Sequence, residues 1–552
     1  MSLTSEIPAA MMSNLSVLNR TQADVVARLC ELSIDDHIHG QPFQLRVHRS
    51  SYPLTLASAQ SRTVSGEGQK GTVLVFGVGT GELVHDVLRL NPQAQVVAWD
   101  RDPAMLRLAL AQHDFSEALD TGRLILALGA DIFRFQASKP DAVILHPLLS
   151  QVYANEHRLL DLDVDAPRVL MCAGGLFIDD VAECLHESGM AVYVWDIGRQ
   201  SEEALNAIAE QVNPDFVFAV NYTNGLAEAC SRLEIPLVVW EIDPTTDGLV
   251  PVGGHTDNVR IHTYRNANVR RFETAGFRHV RYTPLAANTA RRQPGEDEQR
   301  TGPQVCFVGA SMVDQAMHFR DLFLKTWTAA HATNPAARAQ GARLLDGILA
   351  QQRIRPREYV IPGLMQRHMG DFVAAVEGAL QHDPVALVGE MAAAERRLNV
   401  AAKLGGEGLH VWGDPGWKAV ESHGVTFCGF AGHRLELTDI YRQGQIHVDI
   451  NRLYQLDIVP MRVFDILACG GFLIAEYSPA LAELFDIGSE IEVWQSVDEL
   501  VEKVRYYKEH PEEAHLIAQK GYKAVCERHT IASRVLDMLK GLPQFTSASA
   551  VG

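Results

Sequence analysis

The sequence predicts an α/β protein made of parallel-sheet units in series, and three observations predict it. Short apolar runs rich in Val, Ile, Leu and Phe alternate with amphipathic helical stretches along most of the chain, the pattern of strands buried on both faces. Several of these runs end in a glycine turn that opens a helix, as in GTVLVFGVGTGELVHDVLRL and RVLMCAGG. The chain of 552 residues is longer than one hydrophobic core sustains, so two or three domains are expected.

In chain order, residues 1–65 form an N-terminal extension that mixes short helical and strand-like runs and ends in the polar loop SRTVSGEGQKG. Residues 66–160 form the first α/β unit, with strands in GTVLVF, QVVAWD, RLILAL and DAVIL. Residues 166–290 form a second, with strands in RVLMCA, MAVYVWDI, FVFAVN, PLVVWEID and VRIHTY, closed by HVRYTPLAAN. The stretch TARRQPGEDEQRTGP reads as a linker. Residues 303–540 form the third, opening on the strand QVCFVGAS and interrupted at about 312–404 by a helical insertion rich in Ala, Arg, Gln and Leu. Alternation resumes with LHVWGD, VTFCGF, IHVDIN, the helix MRVFDILACG, then FLIAE and IEVW.

The bulk numbers exclude several classes. Apolar residues make up 47% and charged residues 21%, an ordinary globular profile. No apolar run is long enough to span a membrane, and the first residues lack the pattern of a secretory signal. The formal net charge of −19 repels phosphate backbones, which argues against a nucleic-acid partner. The eight cysteines are scattered without a C-x-x-C pair, which suits a reducing, cytoplasmic compartment and opposes a zinc site or disulfide framework. No H-E-x-x-H, G-x-S-x-G or P-loop motif occurs.

The segment DIVPMRVFDILACGGFLIAE carries the strongest chemical signal. Asp457 and Asp465 stand eight residues apart, and Pro460 suits the first turn of a helix that ends at Gly470-Gly471 and feeds a strand. A carboxylate near a helix start can accept the two hydroxyls of a ribose. Arg462 offers a fixed fork for diphosphate oxygens, and the helix start adds partial positive charge. The competing reading is a surface helix whose acids and arginine form ion pairs. The turn Val308–Ser311, after the first strand of the third unit, brings the N–H groups of Gly309, Ala310 and Ser311 toward a diphosphate, or is a plain turn. His255, in the glycine-rich loop PVGGHTDN, is an acid/base candidate; for it, as for His447 and His529, the competing reading is a structural role.

A second constellation lies in the first unit. Gly77, Gly79 and Gly81 follow a strand and precede a helix, and Asp100 stands about twenty residues on, as in nucleotide or S-adenosylmethionine fingerprints. The later strand reads DAVILHPLL and lacks the D/N-P-P-Y/F signature of N-methyltransferases. The loop is therefore either a small-ligand site or a turn that packs a helix on a strand.

From about Arg168 onward the chain resembles the CgeB-like (spore maturation protein) glycosyltransferases, which belong with the retaining GT-B enzymes of the group 1 kind. The residues that carry the resemblance are WGDPGW (Trp412 to Trp417), Tyr441, IHVDINR, RVFDILACGGFLIAE, ELFDIGSEI, VRYYKEHPEEAHLIAQKG and ERHTIASR; VVWEIDPTTD and YTPLAAN extend it toward the N-terminus. The resemblance implies a GT-B pair of facing Rossmann-like domains, here preceded by an extra α/β Rossmann-like unit. It implies transfer of a sugar from a UDP- or GDP-linked donor to an unidentified acceptor, with retention. No D-x-D followed by metal-type ligands is evident, so no metal is expected. Asp457 and Asp465 fall where group 1 relatives carry two glutamates, the first beside the donor sugar and the second on the ribose. Each arm here is one methylene shorter. Arg462, Asp465, Gly309, Ala310, Ser311, Trp412, Gly413, Tyr441, Gly470 and Gly471 are the implied donor-binding residues, with Asp457 and His255 as catalytic candidates. The rival readings are an S-adenosylmethionine-dependent methyltransferase centred on Gly77–Gly81 and a non-catalytic binding protein that keeps the fold.

Overall fold

The computed structural model describes residues 8–30, 38–39, 44–47, 50–54, 71–173, 177–196, 202–243, 248–254, 256–295, 300–376, 383–432, 436–455 and 457–542. The chain divides into two compact units, one comprising residues 1–262 and 272–280, the other 263–271 and 281–552.

The first unit opens with helices Ala9–Thr21 and Ala23–Leu29 and a small antiparallel sheet of β1 (Ile38–His39), β2 (Gln44–Val47) and β3 (Ser50–Pro53). The leading helix is anchored by the buried Asn14. Its Nδ2 donates to the Leu110 and His113 carbonyls (2.9 and 2.7 Å), and its Oδ1 accepts the Phe115 N–H (2.8 Å). Next come β4 (Gly71–Phe76), β5 (Ala94–Asp100), β6 (Leu124–Leu128) and β7 (Ala142–Leu145), a parallel sheet in the order β6-β5-β4-β7. A second sheet holds β8 (Arg168–Ala173), β9 (Ala191–Asp196), β10 (Phe216–Val220), β11 (Leu237–Glu241), β12 (Val259–Thr263) and β13 (His279–Tyr282), in the order β13-β12-β11-β10-β8-β9.

The expected boundary at 160–166 falls between sheets that share one apolar core, running from Val73, Trp99 and Phe133 to Tyr193, Val217 and Phe272. The Phe133 and Tyr193 rings lie 6.1 Å apart across that junction, and the Arg168 guanidinium stands 5.0 Å over Phe133.

The second unit holds the parallel sheet of β14 (Val305–Val308), β15 (Leu409–Trp412), β16 (Thr426–Phe427), β17 (Ile446–Val448), β18 (Leu473–Glu476) and β19 (Glu492–Trp494), in the order β16-β15-β14-β17-β18-β19. The two Rossmann-like units expected after residue 165 are present as separate sheets, each of six strands. The helical insertion is the β14-to-β15 crossover. Helices Val313–Ala330, Ala337–Arg353, Ile361–Val376 and Pro384–Leu404 pack around Phe323, Trp327, Leu345, Met365 and Phe372, a core of their own. Pro384 sits in the first turn of the last of these, where a missing N–H costs nothing, and the Asp383 carboxylate caps it at the Val385 N–H.

Both ends of the stretch read as a linker are tied into this unit. Arg292 is buried, and Arg300 donates to the Tyr441, Arg442 and Gly444 carbonyls at 2.9, 2.7 and 3.1 Å. Among the described residues no helix is long and apolar enough to cross a membrane.

Candidate functional site

At β14 the strand order of the C-terminal sheet reverses, with β15 on one side and β17 on the other. Ligands of open parallel sheets bind beyond the carboxyl ends of the strands at such a point. Two loops leave it, Gly309–Met312 after β14 and Asp449–Asn451 after β17.

The first loop is braced from beneath. The Gly309 N–H donates to the Trp412 carbonyl (2.9 Å), and its carbonyl accepts the Trp417 indole N–H (2.8 Å). A Cβ on Gly413 would stand 2.2 Å from the Gly309 oxygen, so only glycine lets these two turns touch. The Ser311 N–H donates to Asp414 (2.6 Å), and its hydroxyl bonds the same carboxylate, which also caps Pro415–His423 through the Gly416 N–H (2.9 Å). Trp412, Gly413 and Ser311 therefore hold the loop in shape, and Ala310 is exposed at its tip.

Arg462 reaches the same point from the helix Met461–Ala468, which Pro460 precedes in extended conformation. Its Nε is hydrogen-bonded to the buried Asp449, its NH2 donates to the Ile450 carbonyl (3.3 Å), and its guanidinium stands 5.3 Å over the Phe307 ring. Asp449 holds that arm with one oxygen only; its Oδ2 is buried without a hydrogen-bond partner.

A second arginine, absent from the sequence reading, comes from the returning helix of the insertion. Arg397 is 4% exposed. It donates to the carbonyl of Ala310 (2.7 Å) and to that of Ile450 (3.3 Å), one on each loop, and its Nε has no partner. Burial, then the charges of Arg462 and Arg452, lower its pKa to about 9. Its neighbour Arg396 is matched by Glu476 in a buried pair. Arg397 and Arg462 thus meet at a fork whose carboxylates have other partners: Asp449 pairs with Arg462, Glu476 pairs with Arg396 and accepts the Asn451 N–H (3.0 Å), and Asp414 holds Ser311. Arg397 was hidden in the sequence because an arginine pair inside a helix reads as a solvated face. Asp449 carried the better signal, an acid just past a parallel strand in IHVDIN.

The remaining predicted residues divide. Asp465 does not lie at the helix start. It is the fifth residue of an eight-residue helix, on the buried face, and pairs with Arg292 at 3.3 Å with both side chains under 6% exposed. Tyr441 is buried nearby, its hydroxyl pushed up by burial and by Asp465. Gly470 and Gly471 donate to the Leu467 and Ile466 carbonyls (2.9 and 2.8 Å), the Schellman closure of the helix. Asp457 is 41% exposed and paired with Arg265 (2.7 Å), which also donates to the Tyr454 carbonyl (3.3 Å). His255 lies outside the described residues. His447 and His529 are buried, with Nε2 at 3.1 Å from the Tyr441 and Leu484 carbonyls, and burial lowers them to about 3 and about 4.

The N-terminal glycine loop sits at the reversal point of its own sheet, yet side chains fill it. Asp100 is fully buried; its Oδ2 accepts the Val78 N–H (2.8 Å), and its Oδ1 accepts the Tyr153 hydroxyl (2.9 Å) and the Asp102 N–H (3.1 Å). Burial outweighs these bonds and raises its carboxyl to about 7. The acid expected to take ribose hydroxyls is engaged by the loop itself. His146, from the HPLL turn after β7, packs over Gly79. A Cβ there would lie 2.5 Å from the imidazole Nε2.

Residues 391–540 match the family model described as glycosyl transferase-like. No curated protein matches the chain. Among solved structures, HepE of Anabaena in complex with UDP-glucose is similar at 11% identity and a TM-score of 0.41, covering 68% of this chain and 99% of its own. A glycosyltransferase from Rickettsia africae is similar at 9% identity and a TM-score of 0.42, over 70% of this chain and 100% of its own. Sucrose-phosphate synthase of Thermosynechococcus elongatus is similar at 12% and 0.42, over 69% and 100%.

Proposed function

We propose that this protein, whose C-terminal sheet carries a glycosyl transferase-like segment, moves a sugar from a nucleoside diphosphate sugar, UDP- or GDP-linked, to an acceptor. The single observation that supports the reading most is the place of Arg462 at the β14/β17 reversal point, beside an exposed turn and a helix start. A guanidinium fork and a helix start beyond the carboxyl ends of a parallel sheet suit an anion, and a diphosphate has the matching oxygens.

In this reading the diphosphate lies against the turn at Ala310 and Arg462, because the Gly309 and Ser311 N–H groups, expected to face it, are taken by the Trp412 carbonyl and the Asp414 carboxylate. As the bond from the anomeric carbon to the β-phosphate oxygen breaks, charge grows on that oxygen. Arg462 and the partial positive charge of the helix start stabilise it without a metal. The acceptor oxygen bonds the anomeric carbon as that bond breaks, and its proton passes to the departing phosphate oxygen. Asp457, the half-exposed acid, is the candidate closest in character to a reacting group, and its partner Arg265 fixes its carboxylate. Retention of configuration, and a place within the CgeB-like branch, follow from the sequence resemblance. All eight cysteines are free, in keeping with a cytoplasmic site of action.

The test is thermal stabilisation of the full chain by UDP, GDP and S-adenosylmethionine, followed by calorimetry on Arg462→Ala. UDP or GDP should stabilise the protein. The variant should bind that nucleotide more weakly by about 2–4 kcal/mol, the scale for removing one partner of a desolvated charge pair. Unchanged affinity in a folded Arg462→Ala protein removes Arg462 from the site. Stabilisation by S-adenosylmethionine alone would favour the N-terminal loop as the active centre.

A further inference from the structure

We infer that Arg397, carried by the helical crossover, is a second diphosphate-binding residue, and that the helical insertion is therefore a working wall of the donor site. The inference rests on the nucleotide-sugar reading above and extends it to a residue and an element that reading does not use.

A guanidinium is one of the most costly groups to bury, and buried arginines are ordinarily matched by carboxylates. Arg396 obeys that rule through Glu476. Arg397 does not. Its hydrogen bonds go to two neutral carbonyls, Ala310 and Ile450, and among the described residues no carboxylate pairs with it. Those carbonyls belong to the two loops that diverge at the strand reversal, so the cation is held at the fork where an anionic ligand of such a sheet sits. The carboxylates around that fork are engaged elsewhere: Asp449 holds Arg462, Glu476 holds Arg396, and Asp414 holds Ser311. A protein that folds around such a charge gives up stability, and the loss is recovered when an anion arrives.

The position also gives the insertion a role. Helix Pro384–Leu404 packs on the first helix of the crossover and belongs to the separate core around Phe323, Trp327 and Phe372. A ligand that draws on Arg397 therefore tightens the helical segment as well as the sheet. The chemistry that fits is a diphosphate, free or nucleoside-linked, rather than a nucleoside alone.

The test uses the full chain, with Arg397→Gln and Arg397→Lys. Affinity for UDP, GDP, inorganic pyrophosphate and the free nucleosides is measured by calorimetry, and the unfolding midpoint is recorded with and without ligand. Arg397→Gln is expected to keep or raise the ligand-free midpoint, to weaken nucleoside diphosphate binding at least tenfold, and to leave nucleoside binding unchanged. Arg397→Lys should retain part of the affinity. A lower ligand-free midpoint with undiminished diphosphate affinity overturns the inference and makes Arg397 a structural tie between two loops. If the unaltered protein binds neither nucleoside diphosphate nor pyrophosphate, the donor reading itself fails, an outcome distinct from a variant that binds as the parent does.

Discussion

Among single residues, the acids and arginines of the candidate site have partners that could not be read from the chain. Arg462 and Asp465 lie three residues apart on one helix. One turns to the strand reversal and Asp449, the other into the interior and Arg292. The sequence showed two promising side chains on a short helix and no means of telling their faces apart, because Arg292 comes from a stretch that reads as linker. Asp465→Asn would leave the buried Arg292 cation without its carboxylate. The expected cost is on the order of 3 kcal/mol in a urea unfolding series. The same variant should lose ribonucleotide and deoxyribonucleotide affinity equally. A selective loss for the ribonucleotide, in a protein of undiminished stability, would return Asp465 to the ribose.

Among elements, the glycine loop shows how a motif can be legible and its use hidden. The strand–glycine–helix pattern at Gly77, Gly79 and Gly81 and the acid at Asp100 all fall where the sequence put them. What fills the loop is His146, contributed by a turn on the far side of the sheet strand β7, and Tyr153 beyond it. Gly79 has φ +57 and no room for a Cβ. Gly79→Ala should therefore destabilise the first unit by about 1 kcal/mol or more, while sugar transfer at saturating donor stays within twofold of the parent. Lost transfer at normal stability would mean that this loop serves the reaction. The helical insertion is the converse case. Its four helices were legible as helix, but its contribution to the site was not, since periodicity cannot say which side chain of a buried helix faces a ligand.

For the whole molecule, titration of buried histidines should dominate stability below neutrality. His146, His186 and His529 are lowered to about 4 and His447 to about 3, in each case first by burial. A histidine whose folded pKa is depressed contributes stability that is present above its ordinary value of 6.5 and is lost as pH falls through the folded value. A shift of this size corresponds to about 3 kcal/mol per residue at full titration. Asp100, raised to about 7, acts with the opposite sign: its contribution is present below 3.8 and is lost as pH rises through about 7. Four groups oppose one, so the urea midpoint should fall steadily between pH 6.5 and 4. A midpoint that is flat or rising over that interval would show that these rings are not buried in neutral form.

The sequence by itself determined the α/β class, the order of strands and helices, the place of the crossover insertion and the segment around Arg462 where the candidate site lies. These are set by short-range patterning, since each strand and helix is encoded by its own apolar period and its own glycine or proline stops. The tertiary structure alone decided that the first two sheets share one core, that Arg292 meets Asp465, that His146 packs over the glycine loop, and that Arg397 lies near Arg462. Each of these is a contact between residues far apart in the chain. Burial and charge compensation in the packed interior select such contacts, and no local period records them.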